Sequence, residues 1–396
     1  MKETKFKNTE IGKIPEEWKM YSIGKDCSVK ARIGWQGLTT SEYLQTGHYG
    51  LITSTDLIEG KVNWDTCVFV SEERYKQDTN IIVKNGDVLV SKDGTIGKVA
   101  VVSNLQYPTT LNSGVFVIRT KNEKITQEGL GLVFISPYFK DFIKRLTAGS
   151  TIVHLYQKDI VNFTFPIPTL PEQHRIASAL TSMDNLISSL GKLIEKKKNI
   201  KQGAMQQLLT GKTRLKGFSE PWVEKKLGKV CSVKRGVRVV KRYLTTDGLY
   251  PVYQNTNIPL GYSNQYNVEA NTPFVIIGGS AGQIGICRER YWAADDCAFF
   301  ACHDIYEKYI YYVLLLNQSN ILHNVRTGTI PRLDRTFLSD MVVYISSNIA
   351  EQQAIATILT KMDDEITALE AKRAKYEAIK QGMMQQLLTG KIRLIS

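Results

Sequence analysis

The chain has 396 residues, 43% hydrophobic and 22% charged, and its 51 Lys and Arg against 38 Asp and Glu give a formal net charge of +13. This composition excludes disordered, collagenous and disulfide-scaffold classes, and the length predicts two or three domains. The basic excess predicts a polyanionic partner, whereas no run approaches 18 apolar residues and the opening residues have no apolar core; a soluble, cytoplasmic protein without signal peptide or membrane partner is expected.

Residues 1–169 read as a strand-rich α/β block. Thr79–Val83, Asp87–Val90, Lys98–Val102 and Gly114–Arg119 are short, β-branched runs punctuated by Gly, Asn and Asp, as strands require, and Tyr138–Thr147 predicts a single amphipathic helix. Residues 170–215 follow as a helix. Ile176, Leu180, Met183, Ile187, Leu190 and Ile194 form a coiled-coil stripe, which loses register near Ile194–Ile200 and resumes through Ala204 and Leu208. Thr169-x-x-Glu172 predicts a capping box at its start and Gly211 a left-handed cap at its end. A second block, 216–347, has strand-like runs at Phe274–Ile277 and Met341–Ile345 and a helical one at Tyr309–Asn317. The second helix, 348–396, starts at Asn348-x-x-Glu351, carries Ile355, Leu359, Met362, Ile366 and Leu369, and ends at Gly390.

The chain is a tandem duplication. Glu172 to Leu215 aligns without a gap on Glu351 to Leu394, with more than half the positions identical. Weaker pairs precede each copy: Trp18 and Cys27-Ser28-Val29-Lys30 match Trp222 and Cys231-Ser232-Val233-Lys234. Gly94-Thr95-Ile96-Gly97 lies opposite Gly282-Gln283-Ile284-Gly285, and Gly149-Ser150-Thr151 opposite Thr327-Gly328-Thr329. Gly203 and Gly382 fall at the same place in the two helices, where they predict a close backbone approach. Helices sharing one stripe are each other's natural partners. The expected fold is α+β: two strand-rich α/β blocks held apart by two long antiparallel coiled-coil helices, with an approximate two-fold axis.

Motifs for chemistry fail on inspection. Gly211-Lys212-Thr213 resembles the end of a phosphate-binding loop, but Gln206 stands where its first glycine belongs. Asn271-Thr272-Pro273-Phe274 resembles an amino-methyltransferase loop with one proline missing and no glycine-rich cofactor turn upstream. Glu195-Lys196-Lys197 has nuclease spacing but lies on the helix. Cys287, Cys297, Cys302 and His303 cluster without the spacing of a structural zinc site, so no metal is expected, and His48, His154, His174, His303 and His323 form no acid–base pattern. No catalytic residue is expected.

The charge excess is spread: +3 over 1–170, +5 over 171–215, +4 over 216–349 and +1 over 350–396. Such a spread suits double-stranded DNA. Lys234, Arg235, Arg238, Lys241 and Arg242 cluster without an acid, and the first block's counterpart carries Lys30, Arg32, Trp35 and Gln36. Lys92 and Lys98 flank the Gly94–Gly97 turn. Gln254, Asn255, Asn257 and Gln283 lie in or near glycine-rich loops, where amide side chains can pair with base edges. These are the expected DNA-binding residues.

Two variable blocks separated by repeated helices ending Gln-Gln-Leu-Leu-Thr-Gly-Lys resemble the specificity subunit of type I restriction–modification systems. Ile14-Pro15-x-x-Trp18, Asp93-Gly94-Thr95-Ile96-Gly97 and Asn112-Ser113-Gly114-Val115-Phe116 are similar to that family's first target-recognition domain. Phe165-Pro166-Ile167-Pro168 running into Glu172-Gln173-x-Arg175-Ile176-Ala177 resembles the entry to its conserved helix. The second half departs from the pattern, with Ser280-Ala281-Gly282-Gln283-Ile284-Gly285 in place of the Asp-Gly-Thr loop. The resemblance implies a non-catalytic subunit with no cofactor of its own. Each recognition domain would read half of a bipartite DNA target, and the helices would set the spacer. Two methyltransferase subunits and ATP-driven restriction subunits are the implied partners, carrying S-adenosylmethionine, ATP and Mg. A self-contained DNA methyltransferase or nuclease, and a non-specific coiled-coil DNA-binding protein, are the alternatives.

Overall fold

A computed structural model describes residues 4–148, 154–240, 242 and 244–395, without the Trp35 side chain. Lys241, the Trp35 side chain and the Gly149-Ser150-Thr151 motif therefore lie outside the described residues. The chain divides into two compact units. One comprises Met1–Ser189 with Ala374–Ser396, the other Leu190–Arg373. Each unit thus combines one strand-rich block, the beginning of one long helix and the end of the other. The long helices span Leu170–Leu208 and Ile349–Leu387.

In the first unit a four-stranded antiparallel sheet runs in the order Val99–Val101, Val88–Ser91, Val115–Thr120, Cys27–Lys30. A three-stranded sheet pairs Tyr49–Ile52 in parallel with Thr109–Leu111 and antiparallel with Val68–Val70. Alternation decides which side chain goes where. Val88 and Val90 point into a core with Phe116, Ile118, Leu130, Phe134, Phe139 and Phe163. Leu89, Val115 and Val117 point the opposite way, onto Ile52 and Leu111. Both faces being covered, Val88–Ser91 is buried throughout. Each large apolar side chain so enclosed contributes about 1.5–3 kcal/mol.

The second unit repeats this plan. Its four-stranded sheet runs Cys231–Arg235, Cys297–Cys302, Pro273–Ile276, Ile284–Ile286, and Tyr250–Tyr253 pairs in parallel with Trp292–Ala293 and antiparallel with Gly261–Ser263. Val275, Ala298 and Phe300 face the larger core, which includes Tyr309, Ile310 and Val313 of the helix Glu307–Leu316. Phe274, Ile276 and Cys297 face Tyr253 and Tyr291 on the other side.

Most expected elements form within a residue or two of their expected bounds. Thr79–Val83 differs: Thr79–Ile81 is a 3₁₀ turn because the Asp78 carboxylate accepts the Asn80 amide at 2.9 Å, competing locally with strand pairing. The helix Gln127–Ile135, anticipated by no amphipathic pattern, is buried along most of its length against the sheet.

The helix stripe is used inside each unit. In the first, Ile176 and Leu180 pack with Leu387 and Leu388, and Lys380 Nζ lies 2.7 Å from Asp184 Oδ1. In the second, Ile355 and Leu359 join the core that holds Met205, Leu208 and Leu209, and Lys201 Nζ lies 2.5 Å from Asp363 Oδ1. Ascending residues of one segment meet descending residues of the other, so each pairing is antiparallel. Leu190 and Ile366 are buried, whereas Met183, Ile187, Met362 and Leu369 are half-buried. Where the stripe loses register, Lys197 and Lys198 pair with Glu365 and Glu370 at 2.6 and 2.7 Å. The expectation for Gly203 and Gly382 is corrected: an added Cβ would meet nothing within 4 Å at either. Both glycines lie on an uncrowded side of the helix.

Candidate nucleic-acid interface

Two features repeat between the units: a junction where block meets helix, and a cluster of loops at one edge of the four-stranded sheet. The junction joins the block to its helix. In the first unit Glu172 is 1% exposed, and its carboxylate accepts two bonds from Arg393, at 2.6 and 2.8 Å, and one from the Trp18 indole at 3.1 Å. In the second unit Glu351 is 0% exposed and accepts from Arg214 at 2.7 and 3.0 Å and from Trp222 at 3.2 Å. A buried carboxylate demands such partners. Both Glu side chains are consequently drawn away from the helix start, so the expected capping boxes do not close through them; at the second helix Asn348 alone caps, accepting the Ala350 amide at 2.8 Å.

The following glutamines are buried too. Gln173 accepts the Thr126 amide at 2.9 Å and donates to the Lys124 and Pro168 carbonyls; Gln352 accepts the Tyr306 amide at 2.9 Å and donates to the Ser346 carbonyl. Gly211 and Gly390 close the helices with φ near +70° and stack on Trp222 and Trp18 respectively, as helix caps rather than phosphate-binding turns.

The loop clusters correspond residue by residue through their backbone bonds. The Ser91 amide donates to the Lys98 carbonyl and the Ser91 carbonyl accepts from the Gly97 amide, just as Ile276 donates to Gln283 and accepts from Gly282. Gly94 and Gly97 therefore match Gly279 and Gly282, all at positive φ. This corrects the sequence pairing by three residues: the counterpart of Asp93–Lys98 is Gly278–Gln283. Local identity of Gly-x-Ile-Gly misled the alignment; the strand register settles it.

In the second unit this turn gathers several expected contact residues. Asn257 donates its amide to Gln283 Oε1 at 3.2 Å, and Ser280 donates its amide to the Asn255 carbonyl at 2.9 Å. Asn255 and Asn257 are exposed, Gln254 and Gln283 half-buried. Gly279 also donates to the Pro331 carbonyl, bringing in the exposed segment 326–332, and Arg235 Nε donates to the Asp295 carbonyl at 2.7 Å. Lys234, Arg238 and Arg242 are exposed on the adjoining stretch.

In the first unit Lys30 is exposed, while Lys92 and Lys98 are half-buried, with Lys92 Nζ 5.4 Å from the Phe116 ring centre. Arg32 and Gln36 are corrected. Arg32 is 2% exposed, and its guanidinium donates to the Leu111 and Arg74 carbonyls, Gln77 Oε1 and Thr110 Oγ1. Burial, and secondarily the adjacent Arg74 charge, push its pKa down. Four of its five N–H donors brace the block's interior. Gln36 is 7% exposed and enclosed, so it presents no amide to a groove.

Arg326, Arg332 and the pair Asp93–His154 share the clustered loops and stand outside the expected contact residues. The repeated Thr327-Gly328-Thr329 lies beside Arg326 and Arg332 and could have pointed to them.

Among the described residues no group of three His, Cys, Asp or Glu is placed to hold a metal ion. Burial pushes the Cys27 and Cys67 thiols up to about 12, and a hydrogen bond with Cys302, then burial, raises that of Cys231. These thiols stay protonated and pack as apolar groups. No helix among the described residues is long and apolar enough to cross a membrane.

The structure defines the class of a duplicated protein in which a mixed strand-rich block with exposed basic and amide loops is joined to a long helix twice over. The family model for the type I restriction modification DNA specificity domain matches residues 15–202 and 219–381, and the chain belongs to that family. It is 28% identical over 218 residues to the specificity subunit of type I restriction enzyme MjaVIII of Methanocaldococcus jannaschii, covering 54% of this chain and 50% of that one. With the MjaIX specificity subunit of the same organism it shares 26% over 275 residues, 65% of this chain and 60% of the relative. The chain thus spans about half to three-fifths of the length of these relatives. Its fold is similar to the crystal structure of a type I restriction–modification S subunit from M. genitalium, with TM-score 0.66, 17% identity, and 93% and 96% of the two chains covered.

Proposed function

We propose that this chain is the specificity subunit of a type I restriction–modification complex and has no catalysis of its own. Each block reads one half of a bipartite target in double-stranded DNA, and the helices set the unread spacer and dock two methyltransferase subunits. Restriction subunits complete the complex; S-adenosylmethionine, ATP and Mg belong to the partners.

The observation that supports this most is the pairing of an identical junction with divergent loops. Arg, Glu and Trp recur at both junctions, while the loops offer lysines in one unit and Asn, Gln and Arg in the other. A catalytic duplication would keep reacting groups alike; two readers of different bases keep the frame and change the loops.

The test is selection of random-sequence duplexes by the full chain together with its methyltransferase subunits. Two short motifs separated by a fixed spacer are expected, and exchange of residues 219–345 for a relative's block should change one motif alone. A continuous motif, a change in both halves, or methylation by the chain alone would overturn the proposal.

A further inference from the structure

At the turn that heads each loop cluster, a carboxylate has changed strands without changing place. In the first unit Asp93 bridges to His154, the Lys92 amide donates to the Gly114 carbonyl, and the Leu155 amide donates to the Lys92 carbonyl. In the second, Gly278 bridges to Arg332, the Ile277 amide donates to the Asp296 carbonyl, and the Leu333 amide donates to the Ile277 carbonyl. Asp93 therefore corresponds to Gly278, Gly114 to Asp296, and His154 to Arg332.

The glycine faces the carboxylate in both. A Cβ on Gly114 would lie 3.4 Å from Asp93 Oδ2, and one on Gly278 would lie 2.4 Å from Asp296 Oδ1. One pocket thus holds one carboxylate, supplied from opposite strands. Both carboxylates pair with the side chain at the same bridged position: Asp93 with His154 Nδ1, and Asp296 Oδ1 with Arg332 Nη1 at 3.4 Å. A pairing retained while its acid moves from one backbone segment to another is held for what its nitrogen-bearing partner does.

Both partners reach the surface. The Arg332 side chain is 58% exposed and His154 30%. Arg332 shares its cluster with Asn255, Asn257 and Gln283, through Gly279 and the Pro331 carbonyl. His154 packs against Tyr156 with the rings tilted by 56° and their centres 4.3 Å apart. A planar donor paired with a carboxylate suits hydrogen bonding to a base edge better than it suits a phosphate, which a mobile lysine serves equally well.

We infer that His154 and Arg332 are corresponding base-reading residues, one per unit, and that Asp93 and Asp296 are the positioning residues that aim them. The inference rests on the proposed DNA-reading function and names residues that carry its specificity.

The full chain with its methyltransferase subunits is presented with random-sequence duplexes, and enrichment is scored at each position. Arg332→Ala should relax one base position of one half-target, by roughly 5- to 150-fold in discrimination, and leave the other half intact. His154→Ala should relax a position in the other half. Asp296→Gly should weaken the same position as Arg332→Ala, and the double variant Gly278→Asp/Asp296→Gly should restore it, because the carboxylate then enters the pocket from the other strand.

A folded Arg332→Ala protein with unchanged preference at every position would overturn the inference while leaving the DNA-reading function standing. So would equal weakening for all sequences, the mark of a structural clamp, or failure of the double variant to restore preference with unfolding temperature retained. If the unaltered chain selects no motif, the underlying function fails instead.

Discussion

The two junctions are chemically the same and physically different. Arg393 is 5% exposed against Glu172, whereas Arg214 is 29% exposed against Glu351. At the first junction Glu17 gives the arginine a second carboxylate, 2.9 Å away; at the second, Ser346 Oγ donates to Glu351. The comparison teaches that duplication conserved the ion pair but not the degree to which water shares it. Since desolvation governs the cost of breaking such a pair, identical residues should contribute unequal stability.

Arginine removal gives the largest expected contrast. Arg393→Ala leaves the buried Glu172 carboxylate with Trp18 alone and should cost about 3–5 kcal/mol, while Arg214→Ala removes a more exposed arginine and leaves Glu351 with both Trp222 and Ser346, and should cost about 1–3 kcal/mol. Urea unfolding of the full chain, with hydrogen exchange followed separately in 170–189 and 349–373, checks the order. Equal losses would break the comparison.

The helix-capping glycines give the next contrast. A Cβ on Gly390 would come 2.3 Å from Pro15, whereas one on Gly211 would lie 3.1 Å from Trp222, and both residues are at positive φ. Gly390→Ala should cost about 2–4 kcal/mol and Gly211→Ala about 1–2 kcal/mol, the excess being overlap with a ring that cannot yield. Thermal unfolding of the two variants reads the difference, and a larger loss at Gly211 would contradict the packing argument.

The smallest effect is local and confined to the first unit. Hydrogen bonds from Arg74, then from the Thr39 amide and hydroxyl, lower the Glu42 pKa to about 2. A carboxylate whose folded pKa is depressed stabilises above its unfolded value, near 4.3, and loses that contribution as pH falls toward 2. Amide exchange in 39–44 should therefore accelerate, relative to the intrinsic rate, from about pH 5 down to 2. Glu42→Gln should abolish that dependence; its persistence would assign the opening to another group.

Legibility followed the range of the interaction. The stripe Ile176 to Ile194 and the glycines that cap the helices were readable because helical spacing and cap conformation are local. The Glu172–Arg393 pair was not, since 221 residues separate its members and nothing in the spacing links them. Arg32 was misplaced for the same reason: its basic neighbourhood suggested a surface, but the carbonyl of Leu111 and the hydroxyl of Thr110 reach it from distant strands. Arg332 stood outside the expected set because the repeated Thr327-Gly328-Thr329 nearby marks the segment without showing that Asp296, 36 residues away, pairs with it.

The sequence by itself determined the duplication, the alternation of mixed block and long helix, and the basic character of the chain. Each is a matter of order, periodicity or composition, which the linear chain carries directly. Only the tertiary structure decided which end of each helix serves which block, which basic residues are enclosed, and how the glycine turns correspond. It also decided that Asp93 and Asp296 occupy one position. A carboxylate can enter the same pocket from either of two strands, so its place is a property of the assembled sheet and not of any residue number.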